Sequence, residues 1–282
     1  MNDAYTKRLL KAIPGGAHTY SRGFDQFPAN APQILKNGLG AYTFDQDNKR
    51  FLDYGMALRA VHLGYAEPVI NQAAIEQINN GNNLTRASLI ELEAAELLIE
   101  LIDSVDMVKF TKNGSTAVSA AIKLARAYTG REMIARCVEH PFFSYDDWFI
   151  ASTPITRGIP LSTIEQTKTF EYNNLASLAK LIDSYPEKFA CVVLEPSTVT
   201  HPCASTTHPG ENYLHDVKRL CHKHGIVFIL DEMITGFRWH LKGAQHYYNV
   251  QADLSTFGKA MANGFSVAGS GKVIFIVDDA WR

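Results

Sequence analysis

"IVFILDE", residues 226–232, runs through five apolar residues and closes on two acids. A strand with no polar alternation is one covered on both faces, so its charged end marks where the chain leaves the core. "FACVVLEP", residues 189–196, has the same form and turns acidic at Glu195. Between them "ENYLHDVKRLCHKHG", residues 211–225, carries its apolar residues at helical spacing. Strand, helix and strand in this order make a βαβ unit and a mostly parallel sheet.

The same alternation continues upstream in "MVKF" (107–110), the helical "TAVSAAIKLARAYTG" (116–130) and "EMIARC" (132–137). An α/β fold with a mostly parallel central sheet flanked by helices is therefore expected over residues 61–282. Ligands of such sheets gather beyond the carboxyl ends of the strands, which marks Glu195, Asp231 and Glu232. Residues 1–60 form a different segment, a short helix followed by "APQILKNGLGAYTFDQDNKRFLDYG" (31–55). Turn signals at Asn37-Gly38 and at Asp45 to Asn48 predict a small antiparallel meander there. Residues 66–80 and 89–102 have the spacing of two amphipathic helices. "TVTHPCASTTHPGEN" (198–212) is a crossover loop, since its His and Cys spacing suits no metal.

The 282 residues are 46% hydrophobic and 20% charged, an ordinary globular balance. Lys and Arg number 27 against 29 acids, for a net charge of −2, so nothing draws the whole chain to nucleic acid or an anionic membrane. A small-molecule substrate is the expected partner. No apolar run reaches membrane-spanning length, and "MNDAYTKRLLKAIPGG" lacks the apolar core of an export signal, so a cytoplasmic location is expected. Cys137, Cys191, Cys203 and Cys221 form no CxxC pair, and reduced thiols are expected. The glycosylation patterns at Asn83 and Asn113 carry no weight in a cytoplasmic chain.

Three features carry chemistry. Asn113, Gly114 and Ser115 follow a strand and open a helix, where free N–H groups and the helix dipole favour a phosphate; the same residues also suit an ordinary helix cap. Asp231 ends a buried strand and requires a cationic partner, which could be an arginine, a metal or a protonated ring nitrogen. Lys259 stands alone among small and apolar residues in "LSTFGKAMANGF" (254–265). A phosphate seat, an anion for a pyridinium nitrogen and a Schiff-base lysine are together the requirements of pyridoxal 5'-phosphate. "GSGKV" (269–273) is no P-loop, because the motif needs glycine at Ser266 and Ser or Thr at Val273.

The ordered stretches "IPGGAHTYSRGF" (13–24), "NGSTAVSAAIKLARAYTGR" (113–131), "EHPFFSYDDWFI" (139–150), "LEP" (194–196), "DEMITGFR" (231–238) and "STFGKAMANGF" (255–265) resemble the landmarks of class-III pyridoxal-phosphate aminotransferases, nearest the glutamate-1-semialdehyde 2,1-aminomutase branch. The resemblance implies the type I pyridoxal-phosphate transferase fold and a homodimer with sites at the subunit interface. It implies that Lys259 carries the cofactor, that Asp231 keeps its ring nitrogen protonated, and that Met233 and Phe142 pack on its two faces. Asn113, Gly114 and Ser115 match the phosphate triplet, and Arg22 matches an arginine associated with a substrate carboxylate.

The implied activity is amino-group transfer on a small amino or carbonyl substrate, by a transaminase or an aminomutase. Phe142-Phe143-Ser144 stand where the family commonly has Tyr-His-Gly, which admits another substrate, such as a keto sugar in polysaccharide synthesis. Family members continue well past the lysine into a small C-terminal domain. The chain is therefore expected to be C-terminally truncated, with an incomplete large domain, and an inactive or weakly active remnant is the alternative to an enzyme.

Overall fold

The computed structural model describes residues 3–81, 84–265 and 273–277. Residues 269–272 of the rejected P-loop stretch and Asn83 lie outside them. The chain divides into two compact units, Met1–Asn80 and Gly81–Arg282.

The N-terminal unit holds the helix Asp3–Ala12, a three-stranded antiparallel sheet of β1 (Leu35–Leu39), β2 (Tyr42–Asp45) and β3 (Arg50–Leu52), and the helix Pro68–Asn79. The β2–β3 turn forms as its sequence predicts: Asp45 Oδ1 accepts from the N–H groups of Asp47 (3.0 Å) and Lys49 (2.9 Å), and Asn48 takes φ +62°. Asn37-Gly38 forms no turn. Both residues lie within β1, and the chain reverses at Gly40-Ala41, because Leu39 pairs with Tyr42. Gly38 answers a packing need instead, since a Cβ there would lie 2.6 Å from Cγ of Tyr65.

The second unit is built on a seven-stranded sheet of β4 (Met107–Thr111), β5 (Met133–Cys137), β6 (Thr167–Phe170), β7 (Phe189–Leu194), β8 (Val227–Glu232), β9 (Leu254–Phe257) and β10 (Val273–Val277). The spatial order is β4-β10-β9-β8-β7-β5-β6. The five strands from β9 to β6 are parallel, and β10 runs antiparallel to both its neighbours. Helices Leu89–Leu101, Gly114–Thr129, Leu175–Ser184 and Tyr213–Lys223 accompany the strands. None of the helices among the described residues is long and apolar enough to cross a membrane.

Two apolar clusters explain why β7 and β8 read as unbroken hydrophobic runs. Val192, Leu194, Phe228 and Leu230 pack with Leu178, Tyr213 and Val217 of two helices on one face. Cys191, Val193, Val227 and Ile229 pack with Val118, Ala121 and Ile122 of helix Gly114–Thr129 on the other. Side chains alternate along a strand, so the parity of Val227 and Ile229 carries Asp231 to the side of helix Gly114–Thr129. Glu232 falls on the opposite parity.

Candidate functional site

Asp231, 1% exposed, ends β8. Its Oδ1 accepts from the N–H of Met233 at 2.9 Å and from Oγ1 of Thr256 at 3.1 Å. Burial raises its pKa from 3.8 to about 6, while these two donors and the positive charge of Lys259 pull it down. The group thus stays largely ionised at neutral pH at a desolvation cost, which a cation bound beside it would offset. Thr256 was not singled out from sequence; its signal is the β8–β9 register, which sets it directly opposite Asp231.

Helix Gly114–Thr129 begins directly after β4 with Asn113 as its N-cap. Asn113 Oδ1 accepts from N–H (2.9 Å) and Oγ1 (3.1 Å) of Thr116, so its side chain serves the helix itself. The capping and anion-seat readings are compatible, because capping occupies the Thr116 N–H and helix geometry gives those of Gly114 and Ser115 no intrahelical acceptor. Ser115 Oγ accepts from the N–H of Tyr145 at 3.3 Å. Gly114 meets Met233: a Cβ on Gly114 would lie 3.0 Å from Met233 Sδ. Met233 therefore joins the carboxyl end of β8 to the first turn of this helix, with buried Ala117 alongside.

Lys259 opens a short 3-10 turn, Lys259–Ala262, just after β9. Its φ of +46° is left-handed, a conformation that costs a residue with a Cβ about 1–2 kcal/mol. The preceding Gly258 is extended, at φ −178°.

The loop between β5 and helix Asp147–Ile150 presents Phe142 at 53% exposure, its ring edge-on to Phe149 at 5.5 Å. Phe143 turns inward against Trp148 and Phe149. Ser144 is fully buried, and His140 accepts the N–H of Glu195 at Nδ1 (3.0 Å). Burial holds the His140 imidazole neutral, lowering its pKa from 6.5 to about 4.

The remaining candidates have settings of their own. Glu232 is a brace: its carboxylate accepts from the N–H groups of Ala244 (2.6 Å) and Gln245 (3.0 Å), from Gln245 Nε2 and from Thr235 Oγ1. Glu195 directly follows β7, and its carboxylate accepts from Thr198 Oγ1. Arg22 is exposed on the short helix Tyr20–Arg22 of the N-terminal unit, where its charge acts on Tyr65. At the end of the crossover loop, His208, Glu211 and Asp216 lie close enough to share a metal ion, but both carboxylates already pair with Arg219.

The carboxyl end of β8 thus brings together a buried carboxylate, the charge of Lys259 that acts on it and, through Met233, the first turn of helix Gly114–Thr129. Residues 25–273 match the family model described as aminotransferase class-III. The chain is 33% identical over 274 residues to glutamate-1-semialdehyde 2,1-aminomutase 1 of Lachnoclostridium phytofermentans, an alignment covering 94% of this chain and 63% of that protein. Its structure is similar to the PLP internal aldimine form of the FumI protein of Sphingopyxis sp. MTA144, with a TM-score of 0.86 and 27% identity over 99% of this chain and 65% of that one. An omega-transaminase from Sphaerobacter thermophilus gives a TM-score of 0.84 and 28% identity, over 99% and 64%. The chain thus spans a little under two thirds of the length of each of these proteins.

Proposed function

Because the chain belongs to the class-III aminotransferases, we propose that it binds pyridoxal 5'-phosphate and takes part in amino-group transfer on a small amino or carbonyl compound, as a transaminase or in the manner of glutamate-1-semialdehyde 2,1-aminomutase. One observation carries this reading: the buried Asp231 carboxylate ends β8 beside both the Lys259 charge and, through Met233, the first turn of helix Gly114–Thr129. When bound, the cofactor supplies an electron sink for the substrate carbon bearing the nitrogen.

This chain's residues divide the remaining work. Asp231, ionised, would hold a proton on the cofactor's ring nitrogen by charge pairing. The N–H groups of Gly114 and Ser115, at the helix N-terminus capped by Asn113, bind the phosphate. Met233 and Phe142 would supply the apolar contacts to the ring. Lys259 would hold the cofactor through Nζ and, as a general base and acid, would move the proton at the substrate carbon. Arg22, with an exposed guanidinium, binds a substrate carboxylate. The protein acts as a homodimer. A cytoplasmic site of action goes with its four free cysteines.

Titration of the purified chain with pyridoxal phosphate tests the proposal. A visible absorbance band that is absent in Lys259→Ala is expected, and a wild-type chain without that band overturns it. Assay of glutamate-1-semialdehyde with and without an added amino donor then separates the two activities. Turnover that requires the donor identifies a transaminase, and turnover without it identifies an aminomutase.

A further inference from the structure

Behind the first turn of helix Gly114–Thr129 lies a line of buried polar groups that the proposed chemistry does not use. Trp148 Nε1 lies 2.9 Å from Ser119 Oγ, Ser119 Oγ lies 3.0 Å from Ser144 Oγ, and Ser144 Oγ lies 3.3 Å from the carbonyl oxygen of Ser115. The N–H of Asp146 also donates to Ser144 Oγ, at 3.1 Å.

The proton inventory fixes the direction of this line. An indole N–H only donates, and a carbonyl only accepts. Ser144 has one proton, and the Ser115 carbonyl can only receive it. The Ser119–Ser144 contact then requires Ser119 as donor, which leaves Ser119 to accept from Trp148. The result is a one-way chain, Trp148 to Ser119 to Ser144 to Ser115, in which each bond polarises the next. Tyr145, next to Ser144, donates its N–H to Ser115 Oγ, so adjacent loop residues hold Ser115 by both its carbonyl and its hydroxyl. With one lone pair of Oγ taken, the hydroxyl still has a proton to donate.

We infer that Ser144 and Ser119 are positioning residues that fix Ser115 and the first helical turn for an anionic phosphate ester. The inference rests on the proposed phosphate seat at Gly114 and Ser115 and extends it to a second layer. The resemblance to class-III enzymes commonly puts glycine at position 144, so the Ser144 hydroxyl departs from that pattern.

The test uses pyridoxal phosphate and inorganic phosphate as probes of the 282-residue chain, with the indole N–H resonance of Trp148 as a second readout. Ser144→Ala is expected to weaken binding of both probes about fivefold, the worth of one hydrogen bond. In the wild type the Trp148 resonance shifts on phosphate addition; in Ser144→Ala it does not. Ser119→Thr, which keeps the relaying hydroxyl, restores what Ser119→Ala loses. If Ser115→Ala and Ser144→Ala combine without additivity, the two act as one unit. Should Ser115→Ala weaken phosphate binding while Ser144→Ala leaves both affinity and the Trp148 response intact, the positioning role is overturned and the seat stands. If the wild-type chain binds neither pyridoxal phosphate nor inorganic phosphate, the seat itself falls and this inference falls with it.

Discussion

Thr256 lies directly opposite Asp231 in the β9–β8 register and donates its hydroxyl to Asp231 Oδ1 at 3.1 Å. The bond favours the ionised carboxylate against the burial that raises its pKa to about 6. Thr256→Val keeps the shape of the side chain and deletes the donor, so the Asp231 midpoint should move up from about 6 toward neutrality. Carboxyl carbon NMR across a pH series reads this directly. A midpoint unchanged in the variant would show that the hydroxyl does not tune the acid.

Burial also makes Asp231 a source of pH-dependent stability. Its pKa is 3.8 when free and about 6 when folded, so between these values the native state holds a proton that the unfolded state has released. Stability therefore falls as pH rises through that window, and the ionised group costs the cofactor-free fold about 3 kcal/mol above it. Asp231→Asn retains an oxygen for the Met233 and Thr256 donors, and it should flatten this part of the urea-denaturation profile. Glu232, raised from 4.5 to about 7, contributes its own slope across that overlapping window in both proteins, so Asp231→Asn should reduce the slope there and leave the Glu232 part.

The Glu232 brace makes its own prediction. Gly243 has φ +85°, and a Cβ there would come within 2.8 Å of Glu232 Oε1. Gly243→Ala should cost about 2–4 kcal/mol, combining backbone strain with the displaced carboxylate. Gly130, at φ +67° with nothing within 4 Å of its would-be Cβ, separates the two effects. Gly130→Ala should cost only about 1 kcal/mol, the backbone part alone. Equal losses in the two variants, measured by chemical denaturation, would remove the collision from the account.

Legibility followed the locality of the cause. β7 and β8 could be read from sequence because every position on both faces is apolar, and Asp231 was visible as the acid that breaks the run. β9 was not singled out: "LSTF" has two polar residues of four, and Ser255 and Thr256 are buried only because Gln245 and Asp231 meet them from elsewhere in the chain. β6 hid for a related reason, as an edge strand "TKTF" with polar residues at three of four positions. Asn37-Gly38 misled because the glycine makes room for Tyr65, a contact at long sequence separation that outweighs the local turn preference. The hydroxyl line from Trp148 to Ser115 was equally closed to sequence, since it depends on a loop folding back onto a helix start.

The backbone of Lys259 separates stability from function. A lysine held at φ +46° is strained where glycine would not be, and such strain persists where the surrounding structure enforces it. If the surrounding fold enforces this backbone, any residue with a Cβ keeps the left-handed penalty and only glycine escapes it. Lys259→Gly should therefore be more stable than Lys259→Ala by about 1 kcal/mol, the left-handed penalty less the extra chain entropy of glycine when unfolded. Both variants should lose the visible band formed with pyridoxal phosphate, so the stability difference appears between two proteins equally unable to attach the cofactor. Thermal or urea denaturation of the cofactor-free variants measures it. Alanine matching glycine would mean that the turn relaxes out of the left-handed region once the lysine is gone, and that the side chain, rather than the fold, holds the strained backbone in place.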